Sequence, residues 1–295
     1  MGTIGNTIMI WVVFAFLTAF FESIKDVLSK KSLKEIDEYV VSWSLWFFPI
    51  PLLLIILFIT GIPSINPSFW LILISGGTCN VFATVFYMKS IKLTDLSLSV
   101  PLLAFSPLFL LITSPLLVGE FPNQYGLIGV LLIVFGSYML NIKKRSKGIS
   151  EPFRALIRER GPRFMLLVAV IWSISANIDK IGVKNSTPFF WITMMAIFVS
   201  LSLFPIVVHR FPKERKISKN WVKALVPIGL IYGLTILNQM IAINLTLVSY
   251  VISIKRMSTI LVVIWGYLIF KEKNIKNRIA GSAIMIIGVL FITLM

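Results

Sequence analysis

The stretch EFPNQYGLIGVLLIVFG at 120–136 is answered by EKNIKNRIAGSAIMIIG at 272–288. In both, a glutamate is followed nine residues on by a glycine and seven further on by a second, with a constant offset of 152 between the copies. Ser106 and Ser258 fall on the same offset. Self-similarity at a fixed spacing is the mark of a duplicated architecture. Gly129, Gly136, Gly281 and Gly288 therefore anchor a reading of the chain as two related halves.

The composition says where those halves reside. Of 295 residues, 57% are hydrophobic and 14% charged, against about 25% charged in soluble domains. This excludes an ordinary soluble fold, and the apolar content excludes disorder. A membrane protein of many spans remains. Cys79 is the sole cysteine and His209 the sole histidine, so neither an internal disulfide nor a cysteine-based zinc site can form. His209 precedes Arg210 in a basic stretch and reads as interfacial, which leaves no nucleophile–histidine set. No catalytic residue, metal or cofactor is expected. The net charge of +16 belongs to positive-inside loops rather than to nucleic-acid binding.

A span needs about 20 mostly apolar residues. The uncharged runs give ten helices, near 6–28, 39–60, 68–88, 96–118, 124–142, 164–183, 188–209, 221–242, 248–270 and 277–295. The first has no basic leader region and exceeds a signal core, so it is expected to stay in the mature chain. The fold class is an all-α membrane protein of two five-helix repeats, 1–142 and 164–295, joined by a basic linker at 143–163. Residues 150–160 of that linker can form an amphipathic helix with Phe153, Leu156 and Ile157 on one side or remain a solvated linker. Of the 28 Lys and Arg, 24 fall at odd-numbered connections. These loops should be cytoplasmic and both termini outside, in the cell or cytoplasmic membrane.

Five is odd, so the second half must lie upside down. The loop charges agree: nothing basic follows Glu120 until Lys143, whereas Lys273, Lys276 and Arg278 follow Glu272. Inverted repeats are a transporter architecture with its site near the midplane. The segments Val100-Pro101…Ser106-Pro107…Gly119-Glu120…Gly129…Gly136 and Lys255-Arg256-Met257-Ser258…Phe270-Lys271-Glu272…Gly281…Gly288 resemble the paired EamA-type repeats of the drug/metabolite transporter superfamily. That resemblance implies an alternating-access carrier of small metabolites, often amino acids. Thr259 stands where the first repeat has Pro107, so no proline demands a kink in the ninth helix.

Charges at the bilayer centre cost roughly 2.5–3.5 kcal/mol on insertion scales, so each needs a reason. Glu22, Lys25, Asp26 and Ser29 share one face of the first helix, either as a solvated end or as a half-buried vestibule lining with a proton-titrating carboxylate. Ser173, Asn177 and Lys180, with Asp179 beside them, form a comparable stripe in the sixth, where 178–181 reads as a repeat of 25–28. Asn80 and Tyr87 on the third helix match Tyr232 and Gln239 on the eighth, with Thr84, Thr235 and Asn238 nearby. These groups serve as interhelical glue, as a site at the twofold axis, or as both. Lys255 and Arg256 either snorkel to an interface or face the cavity, where two cations would hold a carboxylate or phosphate. The candidate substrate-binding residues are thus Asn80, Tyr87, Asn177, Tyr232, Asn238, Gln239, Lys255 and Arg256; the candidate proton-coupling or gate residues are Glu22, Lys25, Asp26, Asp179 and Lys180. Of the tryptophans, Trp43, Trp172 and Trp191 could line a pocket, the rest marking interfaces.

The function expected is a secondary transporter of a small polar metabolite, an amino acid or related zwitterion favoured, proton-linked or driven by exchange. No Walker-type loop is present for ATP. A flippase for a lipid-linked or phospholipid-like substrate is the alternative; an enzyme is not expected. The partners are a small-molecule substrate and the lipid bilayer, with no nucleic acid, as a monomer or homodimer.

Overall fold

The computed structural model describes residues 2–140, 159–210, 219–270 and 278–293. The linker at 143–163 falls outside them up to residue 158, as does Glu272. All regular elements among the described residues are helical. The first half runs through α1 (Gly2–Ser32), α2 (Glu38–Phe47), α3 (Ile50–Thr60), α4 (Ser68–Leu93), α5 (Leu96–Ser99), a 3-10 segment (Val100–Phe105), α6 (Ser106–Leu117) and α7 (Gln124–Leu140). The second runs through α8 (Arg160–Lys184), α9 (Pro188–Arg210), α10 (Lys219–Leu245), α11 (Val248–Lys255), α12 (Ser258–Phe270) and α13 (Arg278–Thr293).

These elements compose ten spans, three of them broken. Pro49, which lacks an amide donor, separates α2 from α3. The 3-10 segment divides the fourth span, and Arg256-Met257 divides the ninth. Without any proline, the amides of Met257, Thr259 and Ile260 still turn back three residues, to Ile254, Arg256 and Met257, at 2.9–3.0 Å. At the offset of 152 this break coincides with the 3-10 segment of the first half. The absence of a proline at Thr259 thus did not predict a continuous helix: tighter i→i+3 bonds satisfy the same amides. Apolar side chains such as Phe58, Ile59, Leu71 and Leu201 are exposed around the outside, as a lipid-facing surface requires.

The halves pair as a twofold demands. α1 packs on α10 and α4 on α8, the same contact with the halves exchanged, and α7 packs on α13. The repeat glycines form that last seam. A Cβ on Gly129 would come 2.6 Å from the carbonyl oxygen of Gly288, one on Gly288 2.7 Å from that of Gly129, and one on Gly136 2.6 Å from that of Gly281. Each glycine faces the repeat-mate of the other, and only hydrogen at Cα allows backbones so close.

A second symmetric pair corrects the register expected for the first and sixth spans. Lys30 donates to the carbonyls of Ile91 (2.6 Å) and Thr94 (2.8 Å), and Lys180 to those of Ile243 and Thr246 (both 2.7 Å). The acceptors are 152 apart and the lysines 150. Lys180 is therefore the counterpart of Lys30, and 178–181 is not the repeat of 25–28. Each ammonium meets carbonyls left over at the C-terminal end of α4 or α10, where the helix dipole also favours a cation.

Substituting Gly129→Ala should destabilise the detergent-solubilised protein by about 1–3 kcal/mol through overpacking, while Ile128→Ala, on the lipid-facing side of the same helix, should leave the melting temperature nearly unchanged. A thermal melt of both variants checks this.

Candidate functional site

α1 continues past Phe21 to Ser32, so its polar stripe is not a solvated helix end. Glu22, Lys25 and Asp26 are each at most 1% exposed. Lys25 Nζ lies 2.9 Å from Glu22 Oε1 and 2.9 Å from Asp26 Oδ1, and its charge sits over the Tyr87 ring at 4.4 Å. The Tyr87 hydroxyl donates to Asp26 Oδ1. From α11, Lys255 reaches Glu22 Oε2 at 3.6 Å and donates to Gln239 Oε1 at 2.8 Å. The four charges Glu22, Lys25, Asp26 and Lys255 thus form a closed, balanced network across the two halves. In a low-dielectric interior such mutual neutralisation is what makes the charges tolerable.

Beyond Lys255 lies a small, partly open cavity. Trp46, Trp172, Tyr232, Ile192, Met195, Ile236 and Met240 give it an apolar wall; Asn80, Ser175, Gln239, Asp179, Lys255 and Arg256 supply polar groups. Arg256 is 2% exposed and donates to Ser106 Oγ through Nε (3.1 Å) and Nη2 (2.8 Å). This bond ties the broken fourth span to the broken ninth. The snorkelling alternative is set aside, since both cations are buried and line the cavity.

Asp179 accepts a 2.9 Å bond from Trp191 Nε1 at Oδ1. Among the described residues, no carboxylate is within ion-pairing distance of Arg256 and no cation within that distance of Asp179. Two buried, oppositely charged groups therefore stand on the wall of one cavity without a direct ion pair, Lys255 acting on Asp179 and Glu22 and Asp26 acting on Arg256 only from beyond contact distance.

The profile of the EamA-like transporter family matches residues 9–142 and again residues 160–294. The chain belongs to the EamA-like transporter family. No curated protein matches it. A solved structure described as "Crystal structure of protein" superposes with a TM-score of 0.77 at 15% identity, covering 96% of this chain and 98% of that one, which shows the fold. The chain is thus an integral, multi-pass membrane transporter of the drug/metabolite superfamily.

Within this EamA-like transporter the candidate residues separate into three groups. Asn80, Tyr232, Gln239, Lys255, Arg256 and Asp179 line the cavity, Asp179 being the one proton-coupling or gate candidate among them. Glu22, Lys25, Asp26 and Tyr87 form the layer behind it, the Tyr87 ring lying tilted against Trp172 at 5.1 Å. Asn177, Asn238 and Lys180 are elsewhere. Asn177 donates to Thr113 Oγ1 at 3.0 Å, Asn238 to its own helix at the Leu234 carbonyl, and Lys180 pairs with Glu120 at 3.1 Å near the ends of the helices. Glu120 also accepts from the Val248 amide at the start of α11 (3.2 Å).

The apolar wall and Trp46 escaped the sequence reading, and Trp43 does not reach the cavity. Trp46 bonds Thr84 Oγ1 at 3.1 Å and meets Tyr232 edge-on at 5.1 Å. Lying three residues before Pro49, it could have been flagged by that break. In the sequence Ser106 carries no signal beyond its repeat position.

Removing Lys25 leaves Glu22 and Asp26 as neighbouring buried carboxylates. Lys25→Met should lower stability by about 3–5 kcal/mol, the scale of a broken buried pair. Adding Asp26→Asn to it should restore part of that loss. A double-mutant cycle on melting in detergent measures the coupling.

Proposed function

We propose that this transporter carries a small zwitterion, an amino acid or a close relative, by alternating access. The observation that supports this reading most directly is that a guanidinium, Arg256, and a carboxylate, Asp179, neither of them in a direct ion pair, stand on one cavity wall. A substrate carboxylate fits Arg256, with Lys255 beside it, and a substrate ammonium fits Asp179. The apolar wall of Ile192, Met195, Ile236 and Met240 would receive a hydrocarbon side chain. The inverted halves supply two equivalent arrangements of one scaffold, which is what exposing a midplane site to each side in turn requires.

The zwitterion neutralises Arg256 and Asp179 without disturbing the balanced Glu22–Lys25–Asp26–Lys255 network. Exchange or facilitated movement therefore fits the charges better than obligatory proton linkage. In this reading the odd-numbered loops face the cytoplasm and both termini the outside, with repeats 1–142 and 164–295 as the moving halves. A flippase would use the same cations for a lipid phosphate, but Asp179 on that wall opposes a ligand that is purely anionic.

L-leucine is the probe that matches both the charges and the wall. It should stabilise the purified protein in a melt by about 2.7 kcal/mol when present at about 100 times its dissociation constant. Leucinol, which lacks the carboxylate, and 4-methylpentanoate, which lacks the ammonium, should require at least about tenfold more, and Arg256→Gln and Asp179→Asn should abolish the distinction each analogue probes. Stabilisation by lipid phosphates and not by leucine contradicts the reading.

A further inference from the structure

Asp179 owes its orientation to a residue outside the cavity lining. Trp191, on α9, is fully buried, and its Nε1 bonds Asp179 Oδ1 at 2.9 Å. The other carboxylate oxygen has no hydrogen-bonding partner among the described residues, although Asp179 lines the cavity. The indole itself cannot swing. Phe69 stands perpendicular to it at 5.7 Å, and Gly182, one turn beyond Asp179 on α8, lies flat against it. A Cβ on Gly182 would come 2.3 Å from Trp191 Cε3 and Cζ3. The glycine is thus a condition for the indole's position, and the indole a condition for the carboxylate's.

We infer that Trp191 is a positioning residue that aims one oxygen of Asp179 into the cavity, and that Gly182 provides the space which sets this aim; together they establish the preference for substrates bearing an ammonium group. The inference rests on the zwitterion reading above. A hydrogen bond to a charged acceptor is among the stronger ones, and it holds the carboxylate in one rotamer without neutralising it. An indole N–H has a single donor and no acceptor, so it occupies Oδ1 and leaves the second oxygen to the ligand. A lysine or arginine in the same place would cancel the charge the ligand needs.

The test compares L-leucine with 4-methylpentanoate, binding of each measured on the wild type, Trp191→Phe and Gly182→Ala. Trp191→Phe keeps an aromatic ring and removes the donor. Leucine affinity should fall about tenfold, the scale of a lost bond to a charged group, while the weaker affinity for 4-methylpentanoate, which has nothing to offer Asp179, stays within twofold. Gly182→Ala displaces an indole that still carries its N–H and should give the same selective loss. An equal loss for both ligands marks a merely structural role and overturns the inference, as does unchanged leucine affinity in Trp191→Phe. Should Gly182→Ala not fold, the Trp191→Phe comparison decides alone. Failure of the wild type to bind leucine at all would instead overturn the zwitterion reading, and this inference with it.

Discussion

Charge buried in a membrane must be neutralised where it stands, and most of the structure around the cavity follows from that constraint. Lys25 between Glu22 and Asp26, and Lys255 between Glu22 and Gln239, complete a network that needs no ligand. Arg256 and Asp179, among the described residues, stand beside that network without a direct ion pair. Taking a charge from water into an interior of low dielectric is unfavourable by several kcal/mol after relaxation, so such a pair persists only when something else depends on it. The proposed binding of a small ion of mixed charge would use both.

Scaffold and site obey different symmetries. The glycine seam between α7 and α13 and the lysine caps at the ends of α4 and α10 repeat in both halves. The site does not. In the corrected register Glu22 and Asp26 fall on Trp172 and Ala176, and Asp179 on Ser29; at the offset of 152, Arg256 falls on Ala104. A symmetric frame gives two equivalent positions for opening, one toward each side. An asymmetric lining gives a substrate with distinct ends a single orientation. The bond from Arg256 to Ser106 joins the broken fourth and ninth spans, so in the proposed reading occupancy of the cavity and the relative position of the halves would act on the same residues.

Features set by composition and spacing were legible in the sequence. Long uncharged runs define spans whatever packs beside them, and the glutamate–glycine–glycine spacing survived duplication because the glycines are needed at the seam. The intramembrane charges were legible for a similar reason: each violates the cost of burial and so points to a partner. Which partner was not legible. Charges in a repeat look alike in sequence, and only the carbonyls that Lys30 and Lys180 cap show which lysines correspond. The break at Arg256-Met257 was hidden because backbone bonding, rather than a proline, makes it. The apolar wall was hidden because Ile192, Met195, Ile236 and Met240 do not differ by residue type from the lipid-facing side chains around them; only the helix packing separates inside from outside.

Alternating exposure of this cavity is the central claim, and Cys79 is the sole cysteine, which makes it directly measurable. In a Cys79→Ser background, a single cysteine at Met240, on the cavity wall, would be challenged with a membrane-impermeant maleimide applied to either face of oriented vesicles. The account predicts labelling from both faces, and protection from both by L-leucine. Labelling that no concentration of leucine slows, or labelling from one face only under all conditions, would contradict it.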